Sequence, residues 1–378
     1  MEKPFPFSSK LSLTKPIIVV LEILLSIPFS LALQQLGLGT IAWIFGGIAS
    51  GALALKTYHS LYQDSLKPNK TARKIGQALV GLAIGFSIAN ANLLELSAKL
   101  PVFVFLTLFM LLTGSLIGYI YSRLSKTNLL NAMLATVPGG VGIMSSIAAD
   151  YGRNVSLVAF VQIIRVTSVI LIIPILARVS TVIHTNVTAF TLSDYLISTE
   201  PTYLVLLLFS MIFAFLGVSF ARNLRLPAAS FFGTLVVGMS FNYLLSLLPF
   251  LPPLNFAPPL SLSVIGQILL GITIGEYCVS QRNLEKRTIK YAFIPVAMTI
   301  GAGFLAATIA QSLTSWDWLT CLLVTAPGGS TEMILVALAL DHNAEIVTAG
   351  HIVRLIALNV SLPLWIFLFR HFDKRLAS

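Results

Sequence analysis

Two arginines stand about ten residues inside otherwise apolar stretches, Arg165 within 155–178 and Arg354 within 345–369. A guanidinium at that depth in a bilayer is costly unless it is paired or faces water, so each is a candidate for holding an anion. Gln162 and His351 precede them by three positions, a spacing that puts each on the helical face of its arginine. Upstream of both pairs lies a glycine-rich break, Pro138-Gly139-Gly140-Val141-Gly142 in one case and Pro327-Gly328-Gly329-Ser330-Thr331-Glu332 in the other. Non-helical backbone inside a bilayer survives only where protein or a wet cavity surrounds it. There its freed N–H groups and the positive end of a half-helix cradle a carboxylate, and its freed carbonyls hold Na⁺. A plain surface turn is the alternative for each break. For each arginine the alternative to contact with an anion is bracing of the break's carbonyls or of a carboxylate. Glu332 and Glu276 are the acids read as lying within apolar runs. Glu332 has Ile143 as its counterpart in the first break, and it either handles H⁺ or Na⁺ or forms a salt bridge to Arg354 or Arg165. Glu276 reads as interfacial.

These pieces recur in register. Gln162, Arg165 and Pro174 stand opposite His351, Arg354 and Pro363 at a constant offset of 189 (351−162, 354−165, 363−174). Ile75–Gly85 returns as Ile265–Gly275, and Pro138-Gly139-Gly140 as Pro327-Gly328-Gly329. We therefore read a duplicated unit, residues 1–178 and 202–378, joined by a connector at 179–201. Gln77 and Gln267, within the glycine-rich copies, read chiefly as helix-packing residues.

The elements that must position these groups are membrane helices. The chain has 378 residues, 56% hydrophobic and 10% charged, with mean hydropathy +0.90. Soluble domains carry about 25% charged residues, so a soluble fold is excluded. Spans are expected at 16–35, 38–56, 73–90, 100–122 and 155–178, then at 202–221, 226–248, 262–280, 288–312 and 345–369. Broken stretches fall at 128–150 and 316–340. If each broken stretch enters and leaves on one side, each half crosses five times and the second half is inverted. That arrangement gathers Lys3, Lys10 and Lys15, Lys67 to Lys74, Arg222 and Arg225, Lys286 to Lys290 and the tail Arg370, Lys374 and Arg375 on the inside. Two full crossings instead would put Arg222, Arg225 and the tail outside, against the positive-inside bias. The expected fold is all-α integral membrane: two inverted repeats, each of about five transmembrane helices plus a Pro-Gly-Gly re-entrant hairpin.

The net charge of +10 is topogenic on this reading and no nucleic acid is expected. Cys278 and Cys321 form no CxxC pair, and the five histidines show no metal-ligand spacing, so metal: none, and an enzyme is not expected.

With these motifs in hand, the chain resembles the AbrB family of bacterial integral membrane proteins. The likeness rests on the twin Pro-Gly-Gly segments, on Met144 and Met333 six residues past each proline, and on the paired Arg165 and Arg354. The acid that the family often carries in this motif matches Glu332 but not Ile143. The family's inherited labels are a regulator of gene expression and an ammonia monooxygenase. More distantly, the layout is similar to the glutamate and citrate sodium symporters, whose Gly-Gly-x-Gly turn residues 139–142 match.

The expected function is a secondary transporter or exporter of a small organic anion or amino acid in the inner cell membrane. Its substrate-binding residues are Gly139, Gly140, Gly142, Gln162, Arg165, Gly328, Gly329, Ser330, Thr331, His351 and Arg354, with ion coupling through Glu332. No cofactor is expected beyond coupling Na⁺ or H⁺. The partners are the lipid bilayer and a small-molecule substrate, and a homodimer is allowed. The alternative is a membrane-embedded regulator of gene expression that senses a ligand without net transport.

Overall fold

The structure, a computed structural model, describes residues 15–35, 39–62, 68–89, 93–139, 141–180, 198–224, 226, 228–247, 256–280, 286–340 and 342–377. Gly140, most of the expected connector, and the topogenic Lys3, Lys10, Lys67 and Arg225 fall outside them.

The described chain is helical, in the order α1 (Lys15–Gln35), a 3-10 turn (Gly39–Ile41), α2 (Ala42–Tyr62), α3 (Lys70–Ser87), α4 (Leu93–Ala98) and α5 (Leu100–Ser125). There follow α6 (Leu129–Thr136), α7 (Val141–Asp150), α8 (Val155–Ser180), α9 (Pro201–Asn223) and α10 (Ala229–Ser246). The chain closes with α11 (Leu260–Ser280), α12 (Lys286–Leu313), α13 (Trp318–Thr325), α14 (Ser330–Ala339) and α15 (Ala344–Ala377). Among the described residues, seven helices are long and apolar enough to cross a membrane: α1, α5, α8, α9, α10, α11 and α12. This is a polytopic membrane protein.

Both expected broken stretches are pairs of short helices. α6 and α13 have eight residues each, and α7 and α14 have ten. At 1.5 Å per residue these run to about 12 and 15 Å, half of a hydrocarbon core of about 30 Å. Local chemistry starts the first short helix of each pair. Asn128 Oδ1 accepts the Leu130 N–H at 3.0 Å, and Asp317 Oδ2 accepts the Thr320 N–H at 3.0 Å, so both helices open on a side-chain cap. The other end is pinned to a neighbour: Thr136 Oγ1 donates to Gly114 O of α5 (3.0 Å) and Thr325 Oγ1 donates to Gly303 O of α12 (3.1 Å).

Helices from early and late in the chain interleave. α11 packs on both α2 and α3, α10 packs on α3, and α12 packs on α5 and α8. The α2–α11 contact is close enough to need glycine. A Cβ on Gly47 would lie 2.5 Å from Ile268 O, and one on Gly275 would collide with Ile48 O. The main core draws Ile84, Phe103, Val169, Leu270, Val324 and Met333 from six helices around the second break. Exposed apolar side chains cover the periphery, among them Leu108, Leu112 and Leu116 on α5 and Phe215 and Phe220 on α9, as a lipid-facing surface requires.

Candidate functional site

The last carbonyls of a helix have no partner within it, and in an apolar interior each must find a donor. Here α8 and α15 supply those donors. Gln162 Nε2 donates to Leu134 O (2.8 Å) and Val137 O (2.9 Å), and Arg165 Nη1 donates to Thr136 O (2.8 Å). Arg165 Nη2 in turn donates to Gln162 Oε1 at 2.7 Å. In the second set His351 Nε2 meets Leu323 O (3.0 Å) and Arg354 Nη1 donates to Ala326 O (2.7 Å). Since a carbonyl only accepts, the imidazole proton sits on Nε2, which leaves Nδ1 to accept from Arg354 Nη2 at 2.6 Å. A positive group at a helix C-terminus also opposes the negative end of its dipole. Bracing of carbonyls, one of the two uses left open for the arginines, is therefore built into the structure.

Between the two breaks lies a cavity of about 380 Å³. Pro138 and Gly139 line it from one break, and Gly328 through Glu332 from the other. Arg165 and Arg354 reach its wall, 2% and 6% exposed. Neither guanidinium pairs with a carboxylate among the described residues, and the two lie close enough to repel each other. Glu332 bends back over the start of its own helix, where a Cβ on Gly329 would strike its Oε2; Arg73 is the charged side chain that acts on it.

Of the residues singled out from sequence, the cavity brings together Gly139, Arg165, Gly328, Gly329, Ser330, Thr331, Glu332 and Arg354. Gln162 and His351, both 0% exposed, stand behind the wall and hold carbonyls rather than line the cavity. Gly142 lies in the first turn of α7, and Gly140 is outside the described residues.

Sequence reading missed the third wall apart from Gln77, for which packing was the favoured use and a place in the site the lesser one. α3 opens on Asn69, whose Oδ1 accepts the N–H groups of Thr71 and Ala72, and its first turns carry Lys70, Arg73, Lys74 and Gln77 into the cavity. Arg73 also lies over the ring of Tyr277 on α11, 5.9 Å from its centroid. The cavity is thus lined by five cationic side chains and one acid, beside an apolar strip that includes Ile163, Phe232 and Leu358. The available signal was position: these basic residues open a glycine-rich span that is copied in the second half, rather than sitting in mid-loop.

Comparison with known proteins finds a family and two relatives that span most of the chain. The family model described as "Transition state regulatory protein AbrB" matches residues 43–370. "Uncharacterized protein YhjN" of Bacillus subtilis (strain 168) is 26% identical over 346 residues, 88% of each chain. "Putative regulator AbrB" of Escherichia coli (strain K12) is 24% identical over 351 residues, 91% of this chain and 93% of the other.

Proposed function

Because the chain belongs to the AbrB family and is a multi-pass membrane protein, we propose that it is a secondary transporter or exporter of a small organic anion. One observation carries this reading: a partly open cavity between two helix breaks, lined by five cations and one acid. A volume of about 380 Å³ is within the range of small-molecule sites. The apolar strip suits the body of an organic acid, and an amino acid also fits because Glu332 answers its ammonium group. In this reading each short-helix pair is a re-entrant hairpin, and the halves are inverted about the cavity. The half-bilayer lengths of α6, α7, α13 and α14 support it, as do the carbonyl braces and threonine pins that recur 189 residues apart (Leu134 and Leu323, Gly114 and Gly303). Glu332, beside the anion, handles the coupling H⁺ or Na⁺. The chemistry is binding and movement, not catalysis.

A second reading has its own support: the family description and the E. coli relative both carry the word regulatory or regulator. In it the same cavity senses an anion without moving it. Counterflow in proteoliposomes separates the two. Purified protein preloaded with a candidate anion should exchange it for labelled anion outside. Binding by thermal shift without any counterflow would replace the transporter with the sensor.

A further inference from the structure

Glu22 sits in α1 with 0% of its surface exposed, and neither carboxylate oxygen has a hydrogen-bond partner among the described residues. α1 packs against α2, α11 and the 3-10 turn between α1 and α2. From α11 the acid at this level is Glu276: its neighbour Gly275 meets α2 at Ile48 O and Ala52 N, the stretch of α2 beside Glu22, and the two carboxylates are near enough for like-charge repulsion. On α2, a Cβ at Gly46 would meet Ser26 O and Ser30, so Glu22, one turn from Ser26, lies level with about residue 50. The titratable residues of α2 are Lys56, Tyr58, His59 and Tyr62, which lie about 9 to 18 Å further along the helix; Lys56 is exposed. The 3-10 turn (Gly39–Ile41) has no titratable side chain.

Two facing carboxylates shielded from water do not both stay ionised. Their surroundings decide which one holds the proton. Glu276 Oε2 accepts the Asn69 N–H at 2.7 Å, at the start of α3, where the helix dipole favours a negative charge. Glu22 receives no such donor. We propose that Glu22 and Glu276 form a proton-binding site, with the exchangeable proton on Glu22 and the negative charge on Glu276. This site is separate from Glu332 and from the cavity, since neither member lines it. It is nevertheless in physical contact with the cavity wall. Glu276 shares α11 with Thr273, Ile274 and Tyr277, and holds the cap residue of the helix that carries Lys70, Arg73 and Lys74. Loss of the proton from Glu22 sets a second negative charge against Glu276 and so loads the anchor of α3. This link to transport rests on the function proposed above; the proton site itself does not.

The test is infrared spectroscopy of the purified full chain at pH 7. Wild type should show the C=O stretch of a buried protonated carboxyl, and Glu22→Gln should lose it while folding to the same yield. A band of unchanged strength in Glu22→Gln overturns the assignment, and so does a wild-type band that disappears on adding Na⁺. Should Glu22→Gln fail to fold, Glu276→Gln carries the test: without the opposing charge the band at pH 7 should weaken, and a band unaffected by Glu276→Gln is equally fatal. In proteoliposomes an inward proton gradient should raise anion accumulation by about tenfold per pH unit for one coupled proton. Glu22→Gln should abolish that accumulation and keep counterflow; accumulation retained in the variant overturns the coupling. A wild type with the band but without counterflow of any anion removes the transport reading and leaves the proton site standing.

Discussion

Replacing Arg165 with alanine separates a brace from a cargo ligand. The guanidinium satisfies Thr136 O and Gln162 Oε1, both in a buried setting, and its removal strands two acceptors. Each costs about 1–3 kcal/mol, so Arg165→Ala should destabilise by about 2–6 kcal/mol. Surface substitutions stay within about 0.5 kcal/mol, which makes the effect easy to resolve. Gln162→Ala strands Leu134 O and one Arg165 donor, and leaves Val137 O with the Gly139 N–H alone, so its cost should be of the same order. Because the two side chains share a bond, the double variant should cost less than the sum of the singles, with a coupling of about 0.5–3 kcal/mol. Arg165→Lys, with a single ammonium in place of the planar fork, should recover only part of the loss. Unfolding in mixed micelles with increasing SDS, followed through the four tryptophans, measures all four proteins. If Arg165→Ala unfolds within about 0.5 kcal/mol of wild type but no longer binds anions, the bracing argument is wrong and the side chain serves cargo.

Three further outcomes are expected. Gly275→Ala should cost about 1–3 kcal/mol in the same unfolding assay, because its Cβ runs into Ile48 O across the α2–α11 contact and backbone must give way. Asp317 caps α13. Burial pushes its carboxyl up, but the Thr320 hydroxyl and N–H and the His342 charge together outweigh this and hold it below the usual 3.8. A carboxyl depressed in the folded state adds stability above its unfolded value and loses it as pH falls through the folded one. Asp317→Ala should therefore be less stable by about 0.5–2 kcal/mol at pH 7, and the gap in melting temperature should close as pH drops below 3.8. Glu332→Gln removes the acid from a cationic cavity, so calorimetry in Na⁺-free buffer should find small anions bound about tenfold more tightly. That is the effect of one charge at ~6 Å and an effective dielectric of ~40, between that of a protein surface and that of water. Weaker binding would show that Glu332 supports the anion rather than opposing it.

The helix breaks were legible because Pro-Gly-Gly cannot continue a helix, and α6/α7 and α13/α14 divide at Pro138 and Pro327 as their spacing implied. Arg165 and Arg354 stood out because charge is scarce in such spans. Their partners did not, since carbonyls carry no sequence signature: only coordinates reveal that Thr136 O and Ala326 O receive those donors. Lys70, Arg73 and Lys74 were hidden by a competing rule. Basic residues beside a membrane helix serve topology by default, and only their place at the opening of a copied glycine-rich span hinted at the lining of a cavity. Glu22 was within reach. It is an acid inside an apolar run, the criterion that picked out Glu276 and Glu332, and only its missing partners required the fold.

The braces narrow where selectivity can reside. A side chain at position 162 or 351 must donate to a helix-end carbonyl and accept from an arginine at once. A glutamine amide and a neutral imidazole both do this, which is why two such different residues hold equivalent places. Arg165 and Arg354 each give one Nη1 and one Nη2 proton to carbonyls and to those partners, and at 2% and 6% exposure they present little of their remaining N–H at the cavity surface. The arginines then contribute mainly field, a positive potential in a low-dielectric wall that attracts any small anion. Discrimination between anions needs donors that are still uncommitted and at the cavity surface. Lys70, Arg73 and Lys74 on α3, with the Ser330 and Thr331 hydroxyls at the second break, meet that description. Substitutions on α3 should therefore change which anion is preferred, whereas substitutions in the arginine braces should change whether the cavity exists.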